Sequence, residues 1–130
     1  MPPRRRTPVA EGRHALAVCR SAGFAADRDV TATAVRYTLE ELAARAPGRT
    51  VEVRVPPYGA AQCIEGPVHR RGTPPNVIET DAVTWLELVT GDLSWSEAVD
   101  AVRVRASGQR AHLEGLLPLV PPDALSGELD

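Results

Sequence analysis

Asn76-Val77-Ile78-Glu79-Thr80 reads as a short strand, and the stretch from there to Leu119 decides the fold. Two helix patterns come next, Asp81 to Thr90 and Ser94 to Ala101, parted by the turn Gly91-Asp92-Leu93. In the first, Ala82, Trp85, Leu86 and Val89 form one apolar stripe. In the second the stripe is Trp95, Ala98, Val99 and Val102. Ser94 and Glu97 have capping-box spacing: the serine oxygen takes an orphan amide and the glutamate reaches back to the cap. Val102-Arg103-Val104-Arg105-Ala106 reads as another strand, closed by Ser107-Gly108. A last helix is expected over Gln109 to Leu117, stopped by Pro118, with Leu113, Leu116, Leu117 and Val120 on one side.

Upstream, the periods change in a fixed order. Ala15, Val18, Cys19 and Ala22 share a face in a helix from about Ala10 to Ala22, ended by Gly23. Asp27 to Thr31 is expected to be a linker with capping residues. A second helix, Ala32 to Ala46, carries the stripe Ala32, Val35, Leu39, Leu42, Ala43, Ala46. Its polar side sets Arg36 with Glu40 and Glu41 with Arg45 at four-residue spacing, and Pro47-Gly48 ends it. From Thr50 the period falls to two: Val51, Val53 and Val55 point one way, Glu52 and Arg54 the other. Pro56-Pro57-Tyr58-Gly59 is a turn, and Ala60 to Glu65 can pair back as a hairpin. Gly66 to Pro75 is a loop. Helices on either side of a run of strands predict an α+β fold: a mainly antiparallel sheet of four to five strands with helices packed on one face. Three parts are expected: a disordered Pro- and Arg-rich tail over 1–9, one domain over 10–120, and a flexible C-terminal tail over 121–130.

Composition narrows the function. The 130 residues suit one domain with its own core. A formal net charge of -2 gives no global pull towards nucleic acid or a membrane surface. Every basic residue is arginine, which reads as coding bias and makes a surface arginine weak support for an anion site. No apolar run reaches the roughly 18 residues of a membrane span, so stable membrane insertion is not expected. Met1 to Pro8 has arginines but no apolar stretch after them, unlike a secretory signal. Cys19 and Cys63 lack zinc or CxxC spacing and read as buried thiols of a reducing compartment, the cytoplasm.

A catalytic reading finds little to work with. His14, His69 and His112 lie on separate elements, and no nucleophile elbow or phosphate loop occurs. No metal, no cofactor and no enzyme activity are expected. Two features could exceed structure. In His69-Arg70-Arg71-Gly72, guanidinium groups on a loop could grip an anionic head group. Trp85 and Trp95, in a chain with five aromatics, could wall a cavity and offer an indole donor to a ligand.

Trp85-Leu86-Glu87-Leu88-Val89-Thr90-Gly91-Asp92-Leu93-Ser94-Trp95-Ser96-Glu97-Ala98 resembles the helix-turn-helix of a sterol carrier protein domain, and Val102-Arg103-Val104-Arg105-Ala106-Ser107-Gly108 resembles its final strand. From Thr33 to Leu119 the order of elements is similar to that of the small actinobacterial sterol carrier family proteins. The resemblance implies helices over a curved sheet, an apolar tunnel between them, and loose binding of sterols, fatty acids or acyl-CoA. The fifth strand of the broad fold would lie within Val68 to Thr73 or be missing. By this analogy Val53, Val55 and Ile64 would line the cavity from the sheet, and Trp85, Val89, Trp95, Val99, Leu113, Leu116 and Leu117 from the helices. The expected function is therefore a soluble, non-catalytic binding protein for a lipid, fatty acyl or sterol-like ligand. The alternative is a structural or regulatory interaction module with a filled core.

Overall fold

Alternation at Val51, Val53 and Val55 does what its period dictates. All three side chains are fully buried, while Arg54 between them is exposed. In the computed structural model, which describes residues 5–66 and 76–129, they form strand β1, Val51–Val55. It pairs antiparallel with β2, Gly59–Cys63, across the Pro56-Pro57-Tyr58 turn. On its other side it pairs parallel with β3, Asn76–Thr80, and β3 pairs antiparallel with β4, Val104–Ser107. Among the described residues, the order β2-β1-β3-β4 makes a four-stranded mixed sheet, antiparallel in two of its three pairings. Val51, Val53 and Val55 share their face with Cys63, Ile78 and Val104; Glu52, Arg54, Glu79 and Arg105 stand on the other.

Helices supply the second layer. α1, Val9–Ser21, packs on α2, Arg28–Arg45. The contact is close at Gly12, where a Cβ would lie 2.1 Å from Cγ of the buried Tyr37 ring. The helix α2 begins at Arg28, earlier than its apolar stripe suggested. Asp27 caps it by accepting the Val30 N–H at 3.0 Å, which brings most of the expected linker into the first turn. α3, Ala82–Thr90, is capped by Asp81 and stops at Gly91 in the left-handed region, φ 85°. α4, Trp95–Asp100, has the reciprocal capping box expected at Ser94 and Glu97.

Two elements differ from their sequence reading. The strand expected at Val102 begins at Val104, because α4 closes with the Arg103 N–H on Ala98 O at 2.9 Å and the Val102 N–H on Val99 O at 3.0 Å. That closure puts Val102, a β-branched residue, at φ 56° and 82% exposed. The helix expected over Gln109 to Leu117 does not form. Asn76 Oδ1 takes the Arg110 N–H at 2.8 Å, Gly115 turns the chain at φ 87°, and Ala111 and Leu113 are buried while His112 and Glu114 are exposed, a period of two. Leu119 and Val120 then re-enter the core, with the Val120 N–H on Val89 O.

The described residues before α1 and after Val120 contact the helices. Arg5 pairs with Glu41, and the Thr7 N–H donates to Glu40 at 3.0 Å. Residues 121–129, expected to form a flexible tail, carry a 3-10 turn at Pro122–Leu125, a buried Leu125 and an ion pair from Glu128 to Arg13 at 3.1 Å. The possible fifth strand at Val68 to Thr73 lies outside the described residues.

Candidate functional site

The ten residues expected to line a cavity fall into three groups. Val53, Val55, Trp85, Val89 and Leu113 are fully buried in the core between sheet and helices. Ile64, Trp95, Leu116 and Leu117 are half-buried against that core. Val99 is 45% exposed. Amphipathic spacing on α4 does not place Val99 inside, because that short helix buries only Ala98. The candidate head-group residues His69, Arg70 and Arg71 lie outside the described residues.

Trp85 anchors the inner layer. Its indole N–H donates to Thr38 Oγ1 at 2.8 Å, and the Thr38 hydroxyl has Ala34 O and Val35 O within 3.0 Å. The donor that could have met a polar ligand tip is thus taken by α2. The network joins α2 to α3 through the centre of the molecule and satisfies every polar atom that Trp85 buries there.

The titratable groups are structural in placement. Cys63 is fully buried at the end of β2, and burial pushes its thiol up to about 12. Burial also raises the Cys19 thiol. Neither is a thiolate near neutral pH, so neither is poised for nucleophilic attack. For Glu41, burial favours the neutral acid, but hydrogen bonds from Arg5 and Arg45 outweigh it and hold the carboxyl below its usual range. Glu41 and Arg45 form the expected pair at 2.7 Å. Arg36 and Glu40 turn elsewhere: Arg36 Nε donates to Tyr58 O at 3.4 Å and Glu40 takes the Thr7 N–H. His14 and His112 are exposed. Among the described residues, no three His, Cys, Asp or Glu side chains are grouped so as to hold a metal ion.

One depression lies elsewhere. An open groove of about 870 Å³ runs along the seam between α2 and the edge strand β2. Leu39 and Ala43 form its helical wall, Ala60, Ala61 and Gln62 its strand wall, and Arg36 and Arg49 stand on its rim. None of the ten expected cavity residues lines it. The small side chains of Gly59-Ala60-Ala61 were the signal for it, since they leave the strand edge uncovered, but small residues in a hairpin have no periodicity that would single them out.

Helices on one face of a small mixed sheet, with an inner layer of valine, leucine and tryptophan, define a sterol-carrier-like α+β domain. A family model described as bacterial SCP ortholog matches residues 27–119, from the cap of α2 to Leu119. The chain belongs to this bacterial sterol-carrier-protein family. No curated protein matches the chain. Among the described residues, no helix is long and apolar enough to cross a membrane.

Proposed function

We propose that the chain is a non-catalytic binding protein for an apolar, lipid-like ligand, fatty acyl or sterol-like, received between the sheet and the helical layer. The observation that carries this reading is the family match from α2 through Leu119, the part of the chain that contains the whole sheet, α2, α3 and α4. Two apolar surfaces support it. Val53 and Val55 come from the sheet; Trp85, Val89 and Leu113 face the same interior. Ile64, Trp95, Leu116 and Leu117 form the half-buried margin of that core. The buried thiols Cys19 and Cys63 suit a reducing, cytoplasmic setting.

The two surfaces touch, so a ligand has to replace side-chain contacts with its own. Burying hydrocarbon contributes about 0.8 kcal/mol per methylene, so ten methylenes give about 8 kcal/mol. Association alone costs about 4–15 kcal/mol before any parting of the layers. The balance favours long-chain or polycyclic ligands over short ones and gives loose binding. Native mass spectrometry of the purified chain mixed with palmitate, and separately with octanoate, tests this. A one-to-one adduct with palmitate and none with octanoate is expected; no adduct with either, at concentrations below micelle formation, would sink the carrier reading.

A second reading, an interaction module, is favoured by one observation, the groove at the outer edge of β2.

A further inference from the structure

We propose that the slot between α2 and the outer edge of β2 docks an extended peptide with acidic ends, which adds to the sheet beside β2. This inference is independent of the lipid reading, which concerns the interior of the domain.

The backbone geometry comes first. β2 is an edge strand, and its register with β1 is Val51↔Cys63, Val53↔Ala61, Val55↔Gly59. Antiparallel pairs alternate between doubly bonded and unbonded. An unbonded Val55↔Gly59 pair would require an N–H on Pro56, which proline lacks. The three pairs named therefore carry the ladder bonds, and the N–H and C=O groups of Ala60 and Gln62 point away from β1. Ile64, next in that series, turns its N–H outward to donate to Ala46 O at 2.7 Å, while its C=O, at φ 68°, turns back to accept the Thr50 N–H at 3.1 Å. Past that point the edge is covered, since a Cβ on Gly48 would lie 2.0 Å from Ile64 O. At the opposite end Arg36 binds Tyr58 O. Among the described residues, the uncovered stretch is Ala60-Ala61-Gln62, about 10 Å of strand. It contains no proline and no charge to deter pairing.

The walls select the occupant. A hydrocarbon chain in this slot would cover outward-facing backbone groups of Ala60 and Gln62 without satisfying them, whereas a peptide strand bonds to them. A second copy is disfavoured twice over. α2 forms the opposite wall, so the slot admits one strand and not a sheet with its own helix alongside. A two-fold pairing centred on Ala61 would also set the Arg36 end of one copy against the Arg49 end of the other. The acidic ends are dictated by the rim. Arg36 uses Nε on Tyr58 O, and Arg49 uses Nε on Gln62 Oε1 at 3.2 Å; among the described residues, the terminal nitrogens of both are left for a carboxylate. Arg6 stands at the same groove; of its two acids, Glu40 is bonded to Thr7 N–H and Glu65 is exposed.

The test uses the full chain and an array of capped six-residue peptides, with small apolar residues inside and either glutamate or lysine at both ends. The expected result is binding by glutamate-ended members only. In the bound state the Ala60 and Gln62 amides should exchange with solvent at least tenfold more slowly. Arg49→Glu should weaken binding at least tenfold while leaving the far-ultraviolet circular dichroism and the palmitate adduct unchanged. Ala60→Pro should abolish it, since that N–H faces away from β1 and its loss leaves the hairpin bonds intact. Any of these results would overturn the proposal: no acidic-ended peptide binding at millimolar concentration, equal binding by lysine-ended peptides, protection at amides other than these two, or a concentration-dependent dimer that protects the same two amides without peptide. Competition by palmitate for the slot would equally overturn it in favour of a lipid groove.

Discussion

Truncating Trp85 to alanine probes the centre of the molecule most sharply. The side chain is fully buried, and an aromatic of this kind buries about 150–250 Å². Large-to-alanine changes at such sites cost about 3–5 kcal/mol, because transfer and cavity terms add. The hydrogen bond to Thr38 adds to this: its loss leaves a buried hydroxyl oxygen without a donor, about 1 kcal/mol more. The expected total of about 4–6 kcal/mol is a large share of the about 5–15 kcal/mol that holds a domain folded. For a chain of this size the melting temperature should fall by about 15–20 °C. Urea unfolding followed by far-ultraviolet circular dichroism measures the loss without relying on the deleted chromophore. The partner side can be read separately. Thr38→Val leaves the indole N–H buried and unpaired, costing about 1–3 kcal/mol, and the cycle with Trp85→Phe should give a coupling of about 1 kcal/mol. A loss below about 2 kcal/mol for Trp85→Ala at unchanged m-value would refute the reasoning, because it would mean that the indole faces open space and not packed neighbours.

Three further outcomes rest on the packing and the charges. Gly12→Ala should destabilise by about 1–3 kcal/mol in a thermal melt, because its Cβ would meet the Tyr37 ring; a gain, as expected for alanine in an open helix, would place α1 further from α2. Val102→Gly should stabilise by up to about 1 kcal/mol, since it relieves a left-handed β-branched residue that buries almost nothing; a loss would contradict the closure of α4. Glu41 has a folded pKa below its unfolded value of about 4.5, so its ion pairs stabilise above that value and the contribution is lost as pH falls through the folded pKa. Urea midpoints of the wild type and Glu41→Gln should differ at pH 7 and converge as the pH falls through the folded pKa; a gap independent of pH would contradict this.

Most of the fold was written in local patterns. Val51, Val53 and Val55 announced a one-sided strand because a period of two has one physical meaning beside a core. Ser94 and Glu97 announced a helix start because the capping box is self-contained. The parallel pairing of β1 with β3 was not legible, since register between distant strands leaves no local mark. The segment from Gln109 to Leu117 misled because Leu113, Leu116 and Leu117 have helical spacing, while its fate was settled by a distant Asn76 that takes the Arg110 amide and by the turn at Gly115. Helical spacing puts Val99 and Val102 in one stripe with Trp95 and Ala98, but a helix as short as α4 buries a single side chain, Ala98. For the residues expected around a cavity, apolar character was legible and degree of burial was not: Val53 is fully buried and Val99 is 45% exposed. The groove along β2 escaped notice because an uncovered backbone edge is a property of what does not pack there.

Ligand binding inside the domain is tested most directly by titrating a fluorescent polyene fatty acid while exciting tryptophan. A chain received between β1 and α3 would lie next to Trp85. Saturable one-to-one energy transfer is predicted, retained in Arg49→Glu and lost in parallel with displacement by palmitate. A signal that rises linearly with probe and never saturates would contradict an interior site for a lipid.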